Sequence, residues 1–423
     1  MTVQDLHATT VSDTPSTAPS IEYQFRDDAD VIAFARLHVG DQLPAFTMAS
    51  ELQVEEIGDG NINYVYRVCT PDRSTSVIVK QGLPWVRIIG ESWPLSLVRV
   101  RIEAETLQFE ADCAPELVPA LYHFEEARSA IVMEDIGDHR NLRHAFLERA
   151  SLPQLGQQMG HFLATTLYRS SDLALDAHDK KARVARFTNP DQCKITEDLF
   201  FVDPFCDHER NSINPALRSD AEALWQDAAL KVEVAELKQR FLSTPEALLH
   251  GDLHAGSIFV REDSTKVIDP EFGFFGPAGF DIGSWLAALW LAACAHTELE
   301  GEEGDRRDYV AQLRAQAVAS WESFAREYRE QAAHTSDASF AAPGVAERLL
   351  SRILRDALGY AGCELIRRTI GLAHVLELES INDDAVRARA ERRALALGRE
   401  LILARESLED LSAADGVVAR LLG

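Results

Sequence analysis

Two short polar runs narrow the folds open to this chain more than anything else in it: His250-Gly251-Asp252-Leu253-His254-Ala255-Gly256-Ser257, then Asp269-Pro270-Glu271. Between them, the strand-like stretches Ile258 to Val260 and Lys266 to Ile268 flank a polar turn, Arg261 to Thr265. A loop carboxylate therefore precedes a hairpin whose far end carries two more acids. Asp252 can accept a hydroxyl proton as that hydroxyl attacks a γ-phosphate. Asp269 and Glu271 alternate on an extended piece, so both can reach a metal at a strand end. Hard carboxylate oxygens suit Mg²⁺, which binds through one or two carboxylates plus phosphates. Each acid alone reads as an ordinary turn or cap residue; the set points to phosphoryl transfer. A zinc site on His250 and His254 is disfavoured, because Gly-Asp-Leu is a poor helix and no HExxH glutamate is present. His250 is expected to pack and hydrogen-bond so as to hold the loop.

Two textures divide the 423 residues. From Leu52 to Met133 the pattern is β-like: Leu52 to Ile57 alternates, Tyr64 to Cys69 is aromatic and β-branched, and Ser76 to Lys80 ends a β-branched run. A helix over Leu97 to Glu110 carries Arg99, Arg101, Glu103 and Glu105 on its polar side, and Ala130 to Met133 reads as a short strand. After Ile136 the chain is mostly helical, with breaks at Pro190, Pro204 and Pro245, a charged loop at Glu300 to Asp308, and an amphipathic helix over Ala385 to Glu409. The expected organisation is α+β and bilobal: a disordered, Thr/Ser/Asp/Pro-rich leader over 1–20, a small β-rich nucleotide-binding lobe over 21–136, and a large helical catalytic lobe over 137–423. The leader lacks the basic start and apolar run of a secretory signal.

The β-rich part holds further candidates. Gly58-Asp59-Gly60-Asn61-Ile62-Asn63 lies between two strands, where backbone amides can approach phosphates, although two glycines also make an ordinary tight turn. Lys80 ends a strand, in position to neutralise α/β-phosphates. Only one of Glu103 and Glu105 can pair with it, since they face different directions on the helix; Glu103 is preferred. Met133-Glu134-Asp135-Ile136-Gly137 ends the β-rich part, where an inter-lobe connector would present backbone groups to adenine. Far downstream, Arg367 and Arg368 sit inside an otherwise apolar helix, and at about 100° apart at least one is expected to face an acidic cleft.

The balance of 42 Lys plus Arg against 68 Asp plus Glu gives a formal charge of -26, which argues against nucleic acid and anionic membranes as partners. Six cysteines, Cys69, Cys113, Cys193, Cys206, Cys294 and Cys363, lie too far apart for a paired framework and read as reduced thiols in a cytoplasmic protein. Ile282 to Ala295 is the longest strongly apolar stretch, short of the roughly 20 residues of a membrane span.

The loop HGDLHAGS and the DPE triplet resemble the aminoglycoside phosphotransferase and choline kinase branch of the protein-kinase-like fold. Within that branch, GDGNIN, DPEFGFFGPAGFDIG and GCELIRRTIGLAH make the chain similar to the 5-methylthioribose kinase family from about Leu52 to His374. The resemblance implies phosphorylation of the 1-hydroxyl of 5-methylthioribose in methionine salvage, with ATP and Mg²⁺, by a homodimer. It implies that Asn63 and Lys80 contact the nucleotide and that Glu134, Asp135 and Ile136 form the adenine connector. Asp252 becomes the catalytic base and sugar-hydroxyl partner, Asp269 and Glu271 (with Pro270 between them) the metal and phosphate ligands, and Arg367, assisted by Arg368, a substrate contact. Gly90 to Leu97 resembles a mobile loop over the nucleotide. Ser257 stands where such kinases usually place an asparagine that binds a second metal, so Glu271 is expected to take over part of that work. The competing readings are a choline, aminoglycoside or homoserine kinase, a nucleotide-binding pseudokinase scaffold, and a metal-dependent hydrolase. A choline site would need an aromatic cage, where this chain offers arginines; a hydrolase would leave the glycine string and Lys80 unexplained.

Overall fold

The computed structural model describes residues 24–40, 42–58, 62–87 and 90–422. The leader expected over 1–20, and Asp59, Gly60 and Asn61 of the glycine string, lie outside the described residues. Two helices, α1 (Asp28–Val39) and α2 (Pro44–Met48), precede β1 (Gln53–Glu56), β2 (Tyr64–Cys69) and β3 (Ser76–Gln81). A hairpin of β4 (Trp85–Val86) and β5 (Gly90–Pro94) leads into α3 (Val98–Cys113), followed by β6 (Leu121–Glu125) and β7 (Ala130–Glu134). Five of these seven strands form one antiparallel sheet in the order β1-β2-β3-β7-β6.

Strand alternation explains how this sheet is covered. Val77, Val79, Ala130 and Val132 bury one face under Val31, Phe34, Ala35 and Val39 of α1. Ile78, Ile131 and Met133 bury the other face against Val100, Ala104 and Leu107 of α3. Lys80 lies two residues beyond Ile78, so its side chain emerges on the α3 side. The polar run of α3 divides differently from the expected single polar face. Arg99 and Glu103 are buried, whereas Arg101 and Glu105 pair with each other at 2.9 Å on a more exposed face. Helical periodicity puts i and i+4 together, so the four charges divide between two faces, and of these two i,i+4 couples only Arg101 and Glu105 pair with each other. Residues 90–94, expected as part of a loop, are strand β5 paired with β4.

The helical lobe begins with β8 (Arg140–Asn141), α4 (Leu142–Leu147), α5 (Leu155–Arg169), α6 (Ala177–Arg186), α7 (Pro190–Phe201), α8 (Arg218–Gln226) and α9 (Ala228–Ser243). Four short strands follow: β9 (Ala247–Leu249), β10 (Ile258–Arg261), β11 (Ser264–Val267) and β12 (Phe274–Gly276). The chain finishes with α10 (Gly279–His296), α11 (Glu303–Ala332), α12 (Val345–Ile370), α13 (Leu376–Glu379), α14 (Asp384–Ala404) and α15 (Leu411–Leu422). Helix α10 is buried along its whole length between α11 and α12. A Cβ on Gly283 would lie 2.5 Å from the Ala357 carbonyl oxygen, so the close approach of α10 and α12 requires glycine there. Among the described residues no helix is long and apolar enough to cross a membrane, and all six cysteines are free.

Three boundaries differ from expectation. The loop expected at Glu300 to Asp308 becomes helical from Glu303, since Glu303 and Asp305 suit a first turn. The tail helix ends at Ala404, and a separate α15 follows. The turn between β10 and β11 shortens to Glu262-Asp263, with Arg261 paired opposite Ser264.

Strand β9 pairs with β12 in the register Leu249 with Phe274. The loop that starts at His250 and the segment that ends at Glu271 therefore leave the same end of one small ribbon. That pairing, between residues 25 apart, is what brings the two polar runs together.

Candidate active site

The loop after β9 is held from beneath. Asp281, in the first turn of α10, accepts hydrogen bonds from the backbone N–H of His250 at 2.7 Å and of Gly251 at 3.0 Å. His250 donates from Nε2 to the Ile268 carbonyl at 2.9 Å, which leaves Nδ1 to accept from the Asp252 N–H at 3.3 Å. The expected role of His250 as a loop holder matches this geometry. Gly251 has φ +83°, and a Cβ there would lie 2.3 Å from the Phe272 carbonyl oxygen. Ser257 is buried, and its hydroxyl is engaged with the Asp252 and His254 carbonyls at 3.0 and 2.9 Å. It braces the loop, so the metal-facing role suggested for its position does not fit its surroundings.

Asp252 stands at the tip with its carboxylate one-third exposed. Oδ2 lies 3.3 Å from His254 Nε2, and Oδ1 lies 3.8 Å from an Nη2 of both Arg367 and Arg368. His254 Nδ1 accepts from the Gly256 N–H at 2.8 Å, so Nε2 carries the proton that faces Asp252. Burial raises the Asp252 pKa, but His254, Arg368 and Arg367 outweigh it and hold the carboxyl well below its usual range. Burial pushes His254 the other way, below its ordinary value, with Arg368 and Arg143 adding to the effect against Asp252. A neutral imidazole donating one hydrogen bond is the result.

Both arginines are aimed by one acid. Glu364 Oε1 accepts from Arg368 Nε at 2.7 Å and from Arg367 Nη2 at 3.2 Å, while Arg367 Nε donates to Oε2. Glu364 is buried, yet the two guanidinium groups bring its pKa down to about 2 against the effect of burial. Arg143, from α4, backs the same cluster with Nη2 3.3 Å from His254 Nδ1.

Across the cleft, buried Lys80 donates to Glu103 Oε1 at 2.7 Å and to Asp269 Oδ1 at 2.8 Å. Glu105 instead pairs with Arg101 and Arg186, which resolves the choice in favour of Glu103. Burial would lower the Lys80 pKa, but Asp269, Glu103 and Glu271 raise it far above its ordinary value. Asp269 adopts φ +66°, a left-handed conformation costly for a residue other than glycine. The DPE turn thus holds this carboxylate against Lys80 under backbone strain. Glu271 is turned toward the sheet: Oε2 accepts from Asn63 Nδ2 at 3.0 Å and lies 3.7 Å from Arg99 Nε. Asn63 in turn accepts from Arg99 Nη2 at 2.6 Å, so its amide serves to position Glu271. Asn189 donates to the Glu271 and Gly273 carbonyls at 3.0 and 3.2 Å and fixes the backbone behind Pro270.

The connector is anchored through its side chains. Glu134 closes β7 opposite Val77, and its carboxylate accepts from the Ala120 N–H at 3.0 Å. Asp135 accepts from Arg67 Nε and Ser76 Oγ, each at 2.6 Å. The Ile136 carbonyl accepts from the His139 N–H at 2.9 Å and starts a turn into the helical lobe.

A divalent metal fits the donor set. Around Lys80, three carboxylates (Glu103, Asp269, Glu271) face two cations (Lys80, Arg99), which leaves an acidic excess. Asp269 is nearly half exposed, and among the described residues its Oδ2 makes no hydrogen bond. Arg99, Glu364, Arg143, Asn189, His254 and Asp281 are among the residues that reading the sequence missed as parts of the site. Only Glu364 carried a readable signal, three and four residues before the arginines on one helix.

A lysine–glutamate pair under a sheet, facing a loop aspartate across a cleft between lobes, belongs to phosphotransferases of the kinase-like fold. Residues 53–309 match the model of the phosphotransferase enzyme family. A methylthioribose kinase of Yersinia pseudotuberculosis is 46% identical over 397 residues, covering 93% of this chain and 95% of that protein. One from Klebsiella pneumoniae is 44% identical over 396 residues, covering 92% and 96%. Among solved structures, an ethanolamine kinase of Plasmodium vivax aligns with 89% of this chain and 90% of its own at 14% identity and a TM-score of 0.45. At the identity and coverage of the first two relatives, the chain belongs to the methylthioribose kinase family.

Proposed function

We propose that this chain transfers the γ-phosphoryl group of ATP to the 1-hydroxyl of 5-methylthioribose in methionine salvage, with Asp252 as the base. The observation that carries the reading is the pairing of Asp252 with two guanidinium groups held by one buried glutamate. A carboxylate beside two cations suits a hydroxyl-rich, uncharged acceptor and repels the quaternary ammonium of choline. Asp252, already ionised, accepts a hydrogen bond from the 1-hydroxyl and orients its oxygen toward the γ-phosphorus. As the new P–O bond forms, the hydroxyl proton passes to Asp252 while the electron pair of the breaking bond leaves on ADP. Arg367, assisted by Arg368, contacts the sugar and the transferring phosphoryl group. Lys80, fixed by Glu103, meets the α/β-phosphates, and Asn63 supports the nucleotide side through Glu271. Glu134, Asp135 and Ile136 offer backbone groups to adenine. Asp269 and Glu271, either side of Pro270, are the residues that would hold Mg²⁺, which when bound offsets triphosphate charge. Residues 21–136 and 137–423 serve as the nucleotide and catalytic lobes of a cytoplasmic homodimer.

ADP release should be measured with ATP and Mg²⁺ against methylthioribose, ribose, choline, homoserine and kanamycin. Turnover of methylthioribose alone is expected, and chelation of the metal should abolish it. Turnover of choline or kanamycin instead would overturn the acceptor; ATP binding with no turnover of any acceptor would favour a scaffold. Light scattering of the eluting protein at twice the 47.0 kDa chain mass is expected for the dimer.

A further inference from the structure

We propose that His38, His123 and Glu125 form a second metal site, outside the active site, for a divalent cation of the zinc class. The backbone places them together. In β6, His123 lies opposite Val132 and Glu125 opposite Ala130. Directly paired residues of antiparallel strands share a face, so both point to the side buried under α1, away from the face that carries Lys80. His38, in the last turn of α1, reaches the same spot. The three side chains offer ligand atoms that all lie within 4.8 Å of one another.

A second observation marks the place as incomplete. His123 Nε2 is sealed from solvent and makes no hydrogen bond among the described residues. Glu125 Oε2 lies 3.6 Å away, beyond hydrogen-bond reach. Buried polar atoms almost always have a partner, and a cation between this ring nitrogen and the carboxylate would supply one. The imidazoles of His38 and His123 stack with centroids 3.6 Å apart and planes 8° from parallel, and the edge of Phe34 walls one side.

Two imidazoles and one carboxylate are the ligands of a borderline cation, with water as the fourth ligand. Metal–ligand bonds of about 2.0–2.2 Å put tetrahedral ligand atoms roughly 3.3 Å apart, so binding requires the two rings to turn out of their stack until their lone pairs converge on the ion. Mg²⁺ prefers oxygen donors, so the two sites select different ions. A bound cation would staple α1 to β6, the edge strand of the sheet. Stacking of two neutral imidazoles, with no ion, is the competing explanation.

The test uses the full chain, stripped with chelator and then saturated with Mg²⁺ to occupy the active-site acids. Zn²⁺ is titrated by calorimetry, and Co²⁺ by its visible absorption. One tightly bound ion per chain and a raised Tm are expected. His123→Ala and, separately, Glu125→Gln should each weaken binding roughly tenfold or more and shrink the Tm rise, while methylthioribose phosphorylation stays at the parent rate. If His123→Ala fails to fold, Glu125→Gln carries the test. No Zn²⁺ binding by the parent in Mg²⁺, or equal binding by the folded variants, overturns the site.

Discussion

Asp252 is surrounded by positive groups that lower its pKa, which makes it a weak base but a permanently ionised one. Such a carboxylate orients a hydroxyl at all ordinary pH values and receives the proton late, once bond formation has acidified that hydroxyl. Asp252→Asn keeps the shape and removes the charge; kcat should fall by about 10²–10⁴-fold, while ATP affinity changes little. A kcat within a fewfold of the parent would remove Asp252 from the mechanism. The loop, the DPE triplet and the arginine pair were legible because their chemistry is local in sequence. Glu103 was legible as one of two, by helix direction. The contacts of Arg99 and Asn63 with Glu271 were not legible for a different reason: Glu271 is 208 residues from Asn63, and no local pattern encodes that contact.

At the scale of elements, α12 carries two buried acids that titrate in opposite directions. Arg367 and Arg368 depress Glu364 to about 2, whereas burial raises Asp356 to about 6 despite its bonds to Arg240. A depressed carboxyl adds stability that is full above its unfolded pKa near 4.5 and is lost as pH falls toward 2. The raised Asp356 favours the folded state increasingly as pH falls from about 6 toward 3.8. In Glu364→Gln only the first effect disappears. The Tm difference between parent and variant should therefore be constant above pH 4.5 and narrow toward pH 2; a gap that widens on acidification would reject the assignment. The loop after β9 gives a second prediction. At φ +83°, Gly251→Ala bears about 1–2 kcal/mol of left-handed strain, added to the clash with Phe272, so both Tm and kcat should drop. Long elements such as α3 and β3 were readable from periodicity. The ribbon of β9 with β12 was not, because three-residue strands carry too little pattern and their pairing is nonlocal.

The whole molecule carries a formal charge of -26, yet it must attract a polyanionic nucleotide. Oppositely charged side chains pair closely over its surface, such as Arg314 with Asp415 at 2.6 Å and Arg218 with Asp207 at 2.9 Å. Contacts that short lie well inside the Debye length of about 10 Å at 0.1 M ionic strength, so salt weakens them little. The surplus acids repel one another over longer distances, and those interactions are screened. The two effects do not cancel: isolated surface pairs contribute only about 0–1 kcal/mol each, whereas the repulsion sums over the entire surplus. Raising NaCl from about 10 mM to about 150 mM should therefore raise Tm. The same screening should increase kcat/KM for ATP when free Mg²⁺ is held constant, because approach of the nucleotide is the step that the net field opposes. A Tm that falls with salt would mean that the ion pairs, rather than the surplus charge, dominate the electrostatics. A kcat/KM that falls while Tm rises would place the governing field in the cleft, where Lys80, Arg367 and Arg368 attract the nucleotide more strongly than the distant surface repels it.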